Sequence, residues 1–144
     1  MPAFPTLEWF ESLNKAVNED PEYRQNGTCD AVIGIRVADK PEEIWSISFE
    51  AFEVTGVRKI GEAELSVLDF YLELPYEGWK EMLQNIKENG RADRSHTINT
   101  LDLSTQGGFA RSHDQFRKDL FFRYNQSFQS YFDASSKLDT TYPG

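Results

Sequence analysis

Leu65-Ser-Val-Leu-Asp-Phe-Tyr-Leu-Glu-Leu74, followed at once by Pro75-Tyr-Glu-Gly-Trp-Lys-Glu-Met-Leu-Gln-Asn-Ile-Lys-Glu-Asn-Gly90, decides how this chain is read. The first ten residues have the period of a strand. Leu68, Phe70, Leu72 and Leu74 fall on one face, and Asp69, Tyr71 and Glu73 fall on the other. Pro75 has no N–H to give and ends the ladder. The period then changes. Trp79, Met82, Leu83 and Ile86 recur at helical spacing and share one face. Gly90 is positioned to close that helix in a left-handed conformation. A strand turning directly into an amphipathic helix makes a corner with two apolar walls, which the rest of the chain must close.

Upstream, Thr6 is placed to cap a first helix. Leu7, Phe10, Leu13, Asn14 and Val17 form its stripe, widened by Trp9 and Ala16. Asn18-Glu19-Asp20-Pro21 ends it. Three strands are predicted next, over Cys29–Val37, Ile44–Phe52 and Val54–Ile60. Ala31, Ile33, Ile35 and Val37 share a face, as do Trp45, Ile47, Phe49 and Ala51. Their connections are short enough for an antiparallel meander. Downstream of Gly90 the pattern fades, and Ile98, Leu101 and Leu103 are read as a strand. Gln106-Gly107-Gly108 is a turn. Ser112 to Asp133 reads as one long helix with Ser112 as its cap, and residues 134–144 as a loose tail. The order predicts an α+β fold: a mixed or antiparallel sheet of about five strands with helices packed on one face, in one domain spanning residues 1–144.

The 144 residues suffice for one core, and 14 % aromatic content, with eleven Phe, is high for a plain scaffold. A net charge of -9 argues against nucleic acid and, for the molecule as a whole, against anionic membrane surfaces, although a local patch can differ. The single cysteine, Cys29, cannot form an intramolecular disulfide. No basic and apolar leader opens the chain, and no run has the length of a membrane span. These features lead us to expect a cytoplasmic protein.

Little in the sequence specifies a reaction. His96 and His113 are candidate bases or ligands, but neither has metal-ligand spacing, and both read as surface residues. Asp69 and Glu73 flank Tyr71 on the polar strand face. That pairing suits general acid–base work but is more often solvent-facing. Cys29 lies beside Asp30, which would raise its pKa, so it reads as a small buried residue. No cofactor and no metal site are expected. The aromatic face of the last helix, around Phe116, Leu120, Phe121, Tyr124 and Phe128, serves equally as core or as the wall of an apolar pocket.

Leu7-Glu-Trp-Phe-Glu-Ser-Leu-Asn-Lys-Ala-Val-Asn-Glu-Asp-Pro-Glu-Tyr-Arg24 is similar to the opening helix of sterol-carrier-protein-2-like domains in their bacterial stand-alone form. The run Leu68 to Trp79, closed by Gly90, resembles their Asp-apolar strand and the helix after it. The resemblance implies helices covering one sheet face around a lipophilic cavity, and binding or transfer of lipids, sterols or other apolar molecules without a cofactor. It covers residues 7–90. Past Gly90 the chain departs from the family, which continues with a Met-containing segment and a Gly-Asp strand. The expected ligand-binding residues are Phe70, Leu72 and Leu74 on the strand, and Trp79, Met82, Leu83 and Ile86 on the helix after it. Phe116, Leu120, Phe121, Tyr124 and Phe128 complete them from the last helix. Two other readings stand beside a carrier. One is an accessory subunit of an enzyme of aromatic or hydrocarbon breakdown, docked (or self-associated) through the last helix. The other is a small cone-shaped isomerase or dehydratase, which would need a carboxylate or His facing inward.

Overall fold

The computed structural model describes residues 2–25, 29–51, 53–105, 108–112 and 114–143. Seven α-helix and strand elements come first: α1 (Leu7–Asn18), α2 (Pro21–Gln25), β1 (Ala31–Val37), β2 (Ile44–Glu50), β3 (Glu53–Lys59), β4 (Phe70–Leu74) and α3 (Tyr76–Asn89). Then follow α4 (Ile98–Ser104), β5 (Ala110–Arg111), α5 (Gln115–Arg123) and α6 (Asn125–Asp133). Two 3-10 turns, Glu62–Val67 and Ala134–Lys137, complete the described elements.

The five strands lie in the order β3-β2-β1-β4-β5. The meander β1–β2–β3 is antiparallel, whereas β4 returns beside β1 in parallel, so that Ile35 pairs with Trp45 on one side and Leu72 on the other. The sheet is therefore mixed, and the fold is α+β. Ile33, Ile35, Ile47, Phe70 and Leu72 from adjacent strands are fully buried on the inner face, where the α-helical layer covers them.

The helices begin and end for local reasons. The Thr6 hydroxyl accepts from the Trp9 N–H and caps α1. The start of α3 is satisfied from a distance: the Tyr76 N–H donates to Asp39 Oδ1 at 2.7 Å. Gly90 closes α3 at φ 79, a left-handed conformation that costs glycine nothing. On the buried sides, Trp9 Nε1 donates to Thr140 Oγ1 and Trp79 Nε1 donates to the Arg36 carbonyl, so neither deeply buried indole leaves its N–H unpaired.

Several expectations need correction. Only Phe70–Leu74 of the opening stretch is strand; Glu62–Val67 is a 3-10 turn lying across the outer sheet face. Leu68 sits there with Leu65, Ile44 and Ile60, and not with Phe70. This crossing needs Gly34, because a Cβ on it would stand 2.8 Å from Leu68 Cδ1 and 2.9 Å from Tyr71 Cβ. Leu7 is half-exposed and contributes no core to α1. Ile98, Leu101 and Leu103 belong to a helix, capped by Thr97, whose hydroxyl accepts from the Thr100 N–H. The expected long last helix is two helices, broken at Tyr124 with φ -107 and ψ 23. Asp114, not Ser112, caps its start; the Ser112 hydroxyl instead donates to the Asp69 carbonyl. The segment expected as a loose tail packs back onto the body: Ala134 and Ser135 are buried, and Thr141 bridges Ala3.

Candidate functional site: an aromatic layer under two short helices

The inner sheet face carries a continuous set of ring contacts. Phe70 meets Phe121 of α5 and Phe128 of α6, with ring centroids 5.8 and 5.2 Å apart. Phe49 meets Phe128 and Tyr131, both at 5.3 Å. On the far side Trp79 meets Phe109 at 5.4 Å and Phe132 at 5.9 Å. Four of these six pairs are edge-to-face, an arrangement aromatic rings favour, and the two made by Trp79 are tilted.

Most of the expected ligand residues come together here. Phe70, Leu72, Leu74, Trp79, Met82, Leu83, Ile86, Phe121 and Phe128 belong to one buried cluster, with Leu120 and Tyr124 packed against it. Phe116 does not join them. It is 88 % exposed, because the helix starting at Gln115 turns it away from Phe121. Phe49 and Phe109 are site residues that the sequence reading does not single out. Phe49 is visible in the sequence as a core strand position, whereas Phe109 follows a glycine turn and carries no periodic signal. A half-open groove of about 340 Å³ between α3 and the C-terminal segment is bordered by Leu83, Leu138 and Tyr142. Of the expected ligand residues, Leu83 alone lines it.

One small polar spot interrupts the apolar interior. The Tyr131 hydroxyl donates to Asn14 Oδ1 at 2.9 Å, and both groups are buried. The Tyr23 hydroxyl is buried with no hydrogen-bond partner among the described residues. Burial raises the pKa of Tyr23, and the nearby Cys29 adds to it; Tyr131 is raised by burial and then by Tyr23. The Cys29 thiol is pushed up to about 12, by burial first and then by Asp30 and Asp69. A thiol held protonated is no nucleophile.

The other chemical candidates are engaged in structure. Asp69 Oδ2 accepts from the Val32 N–H, and Glu73 bridges Arg36 and Arg111. His96 is not simply solvated: its Nδ1 lies 2.7 Å from Asp93 and its Nε2 3.0 Å from Glu81, which together raise its pKa. The clasp ties the loop after α3 back onto α3. His113 and the Gln106-Gly107 part of the glycine turn lie outside the described residues. Among the described residues no cluster of three or more His, Cys, Asp or Glu could hold a metal ion, and no helix is long and apolar enough to cross a membrane.

A crystal structure of sterol carrier protein 2 superimposes with a TM-score of 0.64 at 18 % identity, over 93 % of this chain and 98 % of the other. This chain has a sterol-carrier-protein-2-like fold. A second structure agrees, the solution structure of a conserved hypothetical protein from Thermus thermophilus described as a possible sterol carrier protein. Its TM-score is 0.58 at 16 % identity, over all of this chain and 96 % of the other. No protein-family model and no curated protein matches the sequence. In the sterol-carrier-protein-2-like frame, the aromatic layer lies between the sheet and the helices α5 and α6.

Proposed function

We propose that this protein binds an apolar small molecule or lipid between the inner sheet face and the α5–α6 pair, and carries it without reacting with it. The observation that carries the reading is how lightly the layer is covered. Among the described side chains of α5, only Phe121 is buried. Lifting α5 would therefore expose Phe70 and part of Phe128 while breaking few contacts, and an apolar guest could replace the rings it displaces. Likeness to sterol carrier protein 2 supports the same reading. At the edge of the layer, near Tyr131, the Tyr23 hydroxyl has no hydrogen-bond partner among the described residues, and pairing it would relieve a desolvation cost of about 1–3 kcal/mol. That favours a guest with one hydroxyl or carbonyl on an otherwise apolar body.

The test is titration with a fluorescent fatty acid in the absence of vesicles. Saturable one-to-one uptake is expected. Leu72→Trp, which adds bulk beneath the layer, should weaken uptake about tenfold or more, and Tyr23→Phe more modestly. No uptake by the folded protein, or unchanged uptake by a folded Leu72→Trp variant, would contradict the proposal.

A further inference from the structure

Among the described residues six large apolar side chains are exposed, and four of them lie on α5 or the elements beside it: Val67 at 70 %, Leu103 and Phe116 at 88 %, and Phe122 at 54 %. Arg117 of α5 donates to the Val67 carbonyl, which brings the outer 3-10 turn to this helix. Asp102 of α4 and Lys118 of α5 both approach Gly108, and Asn99 exchanges paired amide hydrogen bonds with Asn125 just beyond α5, so α4 flanks it. At 100° per residue, Asp119, Arg123 and Phe116 lie on the side of α5 opposite the buried Phe121, Phe122 lies to one side in ring contact with it, and Arg117 and Lys118 flank its buried edge. Two phenylalanines thus face solvent on one short helix.

Along residues 109–124 the charge is opposite to that of the molecule. Residues 109–124 contain Arg111, Arg117, Lys118 and Arg123 against Asp114 and Asp119, in a chain with a net charge of -9. Two nearby carboxylates are held in place by backbone N–H groups. Asp114 caps α5, and the Asp102 carboxylate of α4 accepts from the Phe109 and Ala110 N–H groups. Arg111 is paired with Glu73. Among the described residues Lys118 and Arg123 have no carboxylate partner, and Arg117 has only the 3.8 Å contact with Asp114. Asp119 is the acid left on the exposed arc.

The geometry points to α5 and its flanks as a docking surface for anionic lipid bilayers, with Phe116, Phe122, Leu103 and Val67 entering the interface and Arg117, Lys118 and Arg123 meeting lipid phosphates. Aromatic and leucine side chains beside basic ones are the composition of a helix lying in a bilayer surface, and each basic residue near an anionic surface adds to the attraction. The remaining, acidic surface is repelled, which orients the molecule with α5 toward the lipid. This goes beyond cargo binding and does not depend on it.

Ligand-free protein, sedimented with phosphatidylcholine vesicles containing about one-third phosphatidylserine, tests it. All three native tryptophans are buried, so Phe116→Trp supplies a reporter whose emission should shift to the blue and be quenched by brominated lipid. Phe116→Ala with Phe122→Ala should weaken binding about tenfold or more, and Asp119→Lys should strengthen it. Raising salt from about 0.05 to about 0.5 M should weaken the wild type. Lys87→Ala, on α3 where it pairs with Asp139, should leave it unchanged. Equal binding to pure phosphatidylcholine, no binding, or full binding by the double variant would overturn the proposal. So would a dimer in solution that the double variant dissolves, since the patch would then be a self-association surface. Cargo uptake is read without vesicles, so either proposal can fail alone.

Discussion

Helices α3 and α5 cover the same sheet face and are held to it in different ways. Along α3, Tyr76, Trp79, Met82, Leu83 and Ile86 are buried, the Trp79 indole donates to the Arg36 carbonyl, and both ends are fixed, by Asp39 and by Gly90. On α5 the described side chains bury only Phe121, while Phe116 and Phe122 face solvent. An apolar residue at helical spacing therefore means different things in the two places. On α3 it is core that fixes the fold. On α5 half of it is surface that the fold leaves uncovered. The difference separates the part of this molecule that must stay closed from the part that can open.

Trp79→Ala should be the most damaging single change, with a loss of about 3–5 kcal/mol in urea denaturation, because it removes a fully buried ring and the indole's hydrogen bond to the Arg36 carbonyl. If it costs no more than Phe121→Ala, the contrast between the two helices disappears. Phe121→Ala should cost about 1–3 kcal/mol, below the usual range for a core phenylalanine, because the loss is limited by what holds α5 down. Amide exchange should then rise in α5 but not in α3.

The His96 clasp lies between these extremes and adds a pH dependence. Asp93 and Glu81 raise the folded-state pKa of His96 above its unfolded value. Its stabilising contribution is therefore complete below the unfolded pKa of about 6.5 and is lost as pH rises through the folded value. Asp93 is lowered, chiefly by its hydrogen bond with His96, so the clasp also loosens in acid, as pH falls through that depressed value. His96→Gln should flatten the neutral-to-alkaline decline in melting temperature; an unchanged profile would show that the clasp holds nothing. The smallest effect belongs to Phe116→Ala, which should change stability by no more than about 0.5 kcal/mol.

Where two neighbouring strands or a strand and a helix agree in period, the fold was readable. β1, β2, β4, α1 and α3 follow the alternation or the helical stripe, and Thr6 and Gly90 mark helix ends as their chemistry requires. The misreadings arise where tertiary contacts decide. Nothing local breaks the chain at Tyr124. It bends because Phe121 packs on Phe70 of β4, whereas Tyr131 reaches Phe49 of β2 and Asn14 of α1. Leu68 continues the strand's alternation but rests on Leu65 and Ile60 of the outer face. α4 did carry a sign, a Thr97 cap with Ile98 and Leu101 three apart, which the surrounding polar residues obscured. The candidate site was half legible for the same reason: its strand and α3 members follow a period, while Phe109 is held by the Asp102 carboxylate, which accepts its N–H. Phe116 fits the aromatic spacing and still faces solvent, since spacing cannot tell which side of a short helix the sheet will take.

Amide hydrogen exchange with and without a fluorescent fatty acid tests the central claim most directly. We expect α5 to exchange faster than α3 and β1 in the free protein, and to slow on ligand addition while β1 stays unchanged. Exchange in ligand-free α5 as slow as in α3, or no slowing when ligand binds, would mean that α5 is fixed core and that the aromatic layer does not open.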